Sequence, residues 1–166
     1  MIITDIVSMI LRVAELVFAA IVTGLTGQFL HQRENVSAWD NGRHIYTITV
    51  SAISMLLAIL WLFPFSGSFI HWPVDFLISV MWFAVFGLLV DWLDGGCGDV
   101  FNWSGIRIRG DDFCAKQKAV VAFAFLSAIC WLASAIVGLV WVRRRERRAA
   151  AANYSTHRRR WYRSRV

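Results

Sequence analysis

Three ionisable residues lie inside stretches that are otherwise apolar enough to sit in a lipid bilayer. Arg12 and Glu15 interrupt the first stretch, and Asp75 lies near the start of the third. A charge in hydrocarbon is costly, so it normally faces a partner or a polar path. Counted from the start of the first segment along a helix, Arg12 lies about 10 Å inside the membrane. Its long side chain can reach the carboxylate of Asp75, which lies nearer to the membrane surface. We therefore predict a contact between Arg12 and Asp75, with Glu15 on the same helical face as the competing partner.

The role of this trio is open between a structural and a functional interpretation. The three charges could simply hold the first and third segments together. They could instead form a switch that responds to lipid or to conformation, or line the polar path of a small channel or transporter subunit. A transport path normally has more polar groups between its helices and a discontinuous helix, and neither is evident in the sequence.

No residue pattern predicts catalysis, a metal site or a cofactor. The sequence lacks GxSxG, HExxH and a glycine-rich phosphate loop. It also lacks CxxC, which argues against a four-helix redox enzyme of the quinone type. The four histidines are scattered along the chain: His31, His44, His71 and His157. We predict a protein that is not an enzyme, with no catalytic residues and no bound metal.

The elements that must position the charges are four apolar segments of helix length. Hydrophobic residues make up 58% of the 166 residues, above the usual soluble composition. The last segment has 24 residues without a charge, enough to cross about 30 Å of hydrocarbon. We predict an all-α integral membrane protein, a bundle of four transmembrane helices forming one domain over residues 1–142. The predicted spans are 6–25, 44–63, 72–93 and 119–142.

The segment after the last span is strongly basic. Residues 143–166 carry ten arginines and one glutamate, whereas residues 1–142 carry seven basic and ten acidic residues. Arginine beside a span favours the cytoplasmic side, so we predict that both the N and the C termini are cytoplasmic. Anionic lipid is the expected partner of this tail, and nucleic acid is not, because the tail is tethered to a membrane. The predicted lipid-binding residues are Arg143, Arg144, Arg145, Arg147 and Arg148.

Two loops are expected to face the outside and carry residues that could be modified there. Asn35 and Asn102 each begin a glycosylation sequon in these loops, although a third sequon, at Asn153, lies in the tail. Cys97 and Cys114 could form a disulfide that closes a seventeen-residue loop and contributes about 3 kcal/mol. Two free thiols are the alternative.

Small residues recur at four-residue spacing in the fourth segment. Ala124 and Ala128 form one pair, and Ser134 and Gly138 form another. This spacing lets helices approach closely where lipid supplies no hydrophobic drive. The pairs could serve packing within the bundle, association of chains into a homo-oligomer or with other membrane proteins, or both. Cys130, in the same segment, is interpreted as an apolar packing residue.

Local motifs give the pattern a resemblance to a known family. They are ILR at Ile10–Arg12, WPVDF at Trp72–Phe76, CGDVFNWSGI at Cys97–Ile106 and the stretch from Cys114 to Gly138. With four spans and a basic tail, the chain resembles MARVEL-domain membrane proteins, and among them the fungal branch that includes the yeast non-classical export protein of eisosomes.

The resemblance implies a location and a class of function. It implies a multi-pass protein of the plasma membrane that organises membrane microdomains or trafficking without catalysis. Fungal relatives imply sterol- or sphingolipid-rich domains as lipid partners. The density of arginine in the tail departs from some relatives.

Overall fold

The computed structural model describes residues 2–32, 42–62, 72–96 and 113–163, and all of them are helical. Each helix is long and apolar enough to cross a membrane, so the predicted all-α, four-span integral membrane fold is confirmed. The part of the chain described here contains no strand. The helices are α1 Ile2–Gln32, α2 Gly42–Leu62, α3 Trp72–Gly96 and α4 Phe113–Arg163.

Helices α1 and α4 extend by more than a turn beyond their predicted spans. Helix α1 continues past Leu25, where a polar loop was expected, and ends at Gln32. Helix α4 begins at Phe113 rather than Ala119 and continues past Val142 to Arg163, a total of 51 residues. No Gly or Pro follows Gly138 in this helix, and Ala and Arg are strong helix formers. The change at Val142 is therefore a change in composition and not in secondary structure.

The four helices form a ring in which each helix packs against two neighbours and lies diagonally opposite the third. Helix α1 packs against α2 and α4, while α3 packs against α4 and less extensively against α2. The starts of α1 and α3 meet the end of α2, because Arg12 contacts both Asp75 and Trp61. We call this the terminal end of the bundle and the opposite end the loop end.

Apolar side chains cover the outside of the bundle and several polar side chains lie inside it, as expected for a protein surrounded by hydrocarbon. Large apolar residues on every helix are exposed on the outside, for example Met9, Leu56, Leu77 and Ile136, which are 53–64% exposed. Eleven polar or charged residues are buried among the described residues, many more than the sequence led us to expect. They are Glu15, Thr26, His44, Thr47, Ser51, Ser54, Asp75, Ser79, Gln117, Ser127 and Ser134.

A polar contact joins each pair of neighbouring helices. Such contacts matter in a bilayer, where association cannot rely on expelling water from apolar surface. The four contacts are Thr23 Oγ1 with Ser51 Oγ at 2.9 Å, Trp82 Nε1 donating to Ser54 Oγ at 3.0 Å, Ser79 Oγ donating to the Ala128 carbonyl at 2.9 Å, and Ser134 Oγ donating to Glu15 Oε1 at 2.5 Å. Together they close the ring of helices.

Aromatic rings fill the loop end of the bundle. The ring of His44 lies 4.2 Å from that of Phe29 and 5.0 Å from that of Trp92, between centroids. On the surface nearby, Arg43 pairs with Asp91 at 2.9 Å between α2 and α3. Both partners are substantially exposed, so this ion pair contributes little to stability.

Candidate functional site

The predicted intramembrane charges form a connected cluster at the terminal end. Arg12 donates from Nη2 to Asp75 Oδ2 at 2.6 Å and from Nη1 to Glu15 Oε2 at 2.8 Å. The two carboxylates therefore do not compete, since each takes a different nitrogen of the same guanidinium. The side chains of Arg12, Glu15 and Asp75 are only 11%, 0% and 3% exposed.

Two tryptophans enclose the guanidinium. Its central carbon lies 4.6 Å from the ring centroid of Trp61 and 5.2 Å from that of Trp131, within the range of cation–π attraction. The two rings also contact each other edge to face, with centroids 5.9 Å apart. We use the term charge cluster for Arg12, Glu15, Asp75 and Ser134, and we call Trp61 and Trp131 its aromatic walls.

The charge cluster joins helices that do not otherwise pack against each other. The ion pair of Arg12 with Asp75 connects α1 to α3 along one diagonal of the ring. The contact of Trp61 with Trp131 connects α2 to α4 along the other diagonal. Ser134 adds a bond from α4 to the second carboxylate oxygen of Glu15. All four helices therefore meet at a single level of the bundle.

Local sequence explains why Asp75 lies at this level. It is in the first turn of α3, where a carboxylate complements the positive end of the helix dipole. The preceding Pro73 suits a helix start because it lacks only an N–H that would have no partner there. The start of α3 can approach α4 closely because Gly138 faces it.

We expect substitution of Gly138 to destabilise the bundle. A Cβ at this position would lie 3.1 Å from Cβ and 3.7 Å from Cα of Trp72, so the start of α3 would have to move. Gly138→Ala should lower the free energy of unfolding by about 1 kcal/mol, in the range of overpacked core sites. Denaturant titration in mixed micelles would measure the loss.

Gly24→Ala is the matched control for this prediction. Gly24 also lies within a span, but a Cβ there meets nothing within 4 Å. Alanine should stabilise α1 at that position by about 0.5–1 kcal/mol through helix propensity. Equal effects of the two substitutions would contradict the assignment of Gly138 to a close helix contact.

The other small residues of α4 also face helices of the same chain. Ala124 and Ala128 are fully buried, and Ser134 is 8% exposed. The carbonyl of Ala128 accepts the hydrogen bond from Ser79 on α3. These positions have the geometry of packing within the bundle, one of the two roles that the spacing allowed.

The basic residues form an exposed extension of α4. All residues from Arg143 to Arg148 are exposed. Arg145 lies over the ring of Trp141, with 4.9 Å between its central carbon and the ring centroid. Tryptophan followed by arginine is typical of the boundary between hydrocarbon and lipid headgroups.

Three predicted sites involve residues outside the part of the chain that the structure describes. They are the sequon asparagines Asn35 and Asn102 and the cysteine Cys97. The disulfide between Cys97 and Cys114 thus stays a prediction. Cys130 is a free, half-buried cysteine within α4.

The hydroxyl and indole groups that complete the site were not predicted from the sequence as part of it. Ser134 was predicted only as a small packing residue, and Trp61 and Trp131 were not predicted at all. A signal for the polar interior was present in α2, where Thr47, Ser51 and Ser54 recur at helical spacing and are all buried. For Trp61 and Trp131, nothing separates them from the other seven tryptophans by sequence alone.

Comparison with known proteins agrees with this architecture. The family model named MARVEL, described as a membrane-associating domain, matches residues 5–137. This range includes the charge cluster, both aromatic walls and nearly all of the four spans. A search of curated proteins found no match.

Proposed function

Because the chain belongs to the MARVEL family of membrane-associating domains, we propose that it is a non-enzymatic organiser of membrane microdomains or of trafficking. The observation that carries this proposal is the exposed basic extension of α4, which continues directly from a span. Five arginines and one glutamate follow one another there, in less than two helical turns. Such a segment attracts anionic lipid to the immediate surroundings of the bundle.

The proposal includes an orientation and a location. Arginine next to a span favours the cytoplasmic side, which for a four-span chain assigns both termini to the cytoplasm. The cytoplasmic leaflet of the plasma membrane carries the anionic lipids that the extension would bind. The motifs at Trp72–Phe76 and Cys114–Gly138 favour the fungal, eisosome-associated branch and hence sterol- or sphingolipid-rich domains.

We expect the arginines to control the clustering of anionic lipid. The full chain would be reconstituted into vesicles that contain labelled phosphatidylserine, and clustering would be followed by self-quenching of the label. Each arginine near the headgroups contributes about 1 kcal/mol, so replacing one with glutamine should weaken lipid binding about fivefold. Replacing all five arginines from Arg143 to Arg148 should sharply reduce clustering, with only the five arginines of residues 158–165 left in the tail.

Glu146→Gln is the matched control, since it removes a negative charge from the same helix turn. It should strengthen clustering, and added salt should weaken clustering by the wild type. Clustering by the five-arginine variant that equalled that of the wild type, or clustering that ignored salt, would refute lipid binding by the extension.

A second candidate function has an observation in its favour. The buried polar residues extend from Glu15 at the terminal end to His44 at the loop end, as the lining of a path would. This favours the hypothesis of a small channel or transporter subunit that uses Arg12, Glu15 and Asp75. Ion or proton flux into vesicles containing the pure protein, lost on substitution of these three residues, would support this candidate over the organiser.

A further inference from the structure

Three buried side chains present a polar atom that makes no hydrogen bond to any described residue. The atoms are Thr26 Oγ1, Ser127 Oγ and Trp131 Nε1. Their residues are at most 1% exposed. Leaving such a group without a partner costs about 1–3 kcal/mol, and the hydrocarbon around the bundle offers no water to satisfy it.

Several other hydroxyls in the spans avoid this cost by bonding to their own helix. Thr47, Thr49 and Ser54 each donate to the backbone carbonyl four residues earlier, at 2.8 Å. Ser127 makes no such bond, although its helix offers the same carbonyl. The indole of Trp82 donates to Ser54, whereas the equally buried indole of Trp131 has no acceptor among the described residues.

Two of the three unpartnered side chains belong to neighbouring turns of one helix. Ser127 and Trp131 are one turn apart on the same face of α4. The carbonyl of Ala128, the residue between them, accepts from Ser79 Oγ at 2.9 Å, and the oxygen of that serine keeps lone pairs that can accept. Thr26 lies on α1, roughly 16 Å along the helix from Glu15, and is not part of this group.

We propose that Ser79, Ser127 and Trp131 bind one water molecule inside the bundle. The water accepts hydrogen bonds from the Trp131 indole and the Ser127 hydroxyl, and it donates to the hydroxyl oxygen of Ser79. Three partners are the usual number for a buried water in a protein. Ala124 and Ala128, both fully buried beside Ser127, keep the side-chain volume around it small.

This water site borders the charge cluster. Trp131 is an aromatic wall of that cluster, so one face of its ring contacts Arg12 while its N–H binds the water. The inference does not depend on the proposed lipid-organising function. It adds a ligand of the interior, a small molecule able both to donate and to accept a hydrogen bond.

A double-mutant cycle of Ser127→Ala with Trp131→Phe, measured as stability, tests the water site. If Ser127 binds water, Ser127→Ala lowers stability, whereas removal of an unpartnered hydroxyl from an apolar site raises it. The sign is not diagnostic for Trp131→Phe, because the smaller ring also loses packing and contact with Arg12. We expect both single variants to destabilise the full chain in micelles. In the double variant, the unfolding equilibrium constant should differ by at least about twofold from the product of the single effects.

The cycle of Ser127→Ala with Thr47→Ala is the matched control and should be additive, because Thr47 lies on α2 and donates to its own helix. Stabilisation by Ser127→Ala would overturn the proposal. So would additivity between Ser127→Ala and Trp131→Phe.

Radiolytic hydroxyl labelling tests the site without any substitution. Bound water is the source of the label, so Trp131 should be labelled several-fold more than Trp82 in the wild-type chain in nanodiscs. Both indoles are fully buried, and that of Trp82 is bonded to Ser54. Equal labelling of the two residues would overturn the proposal.

Discussion

Replacement of Arg12 by methionine should lower the free energy of unfolding by about 3–5 kcal/mol, the usual cost of removing one partner from a buried ion pair. Methionine keeps much of the aliphatic volume but removes the cation that pairs with both buried carboxylates. The hydrogen bond of Ser134 cannot replace a positive charge. Reversible unfolding of the full chain in mixed micelles would measure the effect.

Asp75→Asn is the matched variant and should be far milder. Its amide oxygen can still accept from Arg12, and Arg12 then faces the single carboxylate of Glu15. The expected loss is about 1 kcal/mol or less, the scale of a single hydrogen bond between membrane helices. Equal losses for Arg12→Met and Asp75→Asn would show that the cluster is not held by its central cation.

Exchange of the two charges separates a structural lock from a switch. Arg12→Asp alone replaces the cation shared by Glu15 and Asp75 with a third carboxylate, and it should be the least stable variant. Combined with Asp75→Arg, it restores one cation between two carboxylates, because Glu15 remains in place. We expect most of the stability to return. If this stable double variant still failed to cluster lipid, the charge cluster would have a role in lipid clustering in addition to holding the helices together.

The sequence predicted the spans and the charge contact for a simple physical reason. A run of apolar residues long enough to cross a bilayer has few other structures open to it, since only helices and closed barrels satisfy the backbone there. Within a span, a charge must find an opposite charge. Arg12 and Asp75 were the available pair at similar depth, and the structure brings them to 2.6 Å.

The remaining features depend on rotation of the helices about their axes. Serine and threonine occur on lipid-facing and interior surfaces alike, as the exposed Thr49 and the buried Ser51 illustrate. Spans in lipid lack the strong amphipathic pattern that orients helices in soluble proteins, because apolar residues cover the outside as well. The pairing of Ser134 with Glu15, and the choice of Trp61 and Trp131 as walls, therefore required the packed bundle.

Truncation of Trp131 should be the second most disruptive change in the described core. Trp131 is fully buried, belongs to the main apolar core and contacts both Arg12 and Trp61. In a bilayer the unfolded reference state keeps the side chain in lipid, so the cost arises mainly from the cavity and the lost contacts. We expect Trp131→Ala to lower the free energy of unfolding by about 2–4 kcal/mol in the same micelle titration.

Trp61→Ala is the matched comparison. Both tryptophan rings contact the guanidinium of Arg12, but only Trp131 is fully buried. Trp61 is only half-buried near the end of α2, so lipid can fill the space that its removal leaves. Its loss should therefore cost less than half as much as that of Trp131, although its ring lies nearer to Arg12, at 4.6 Å. A larger effect for Trp61→Ala would mean that cation–π attraction, rather than packing around Trp131, dominates the stability of this end of the bundle. In that case Trp61→Phe, which keeps an aromatic face, should recover most of the loss.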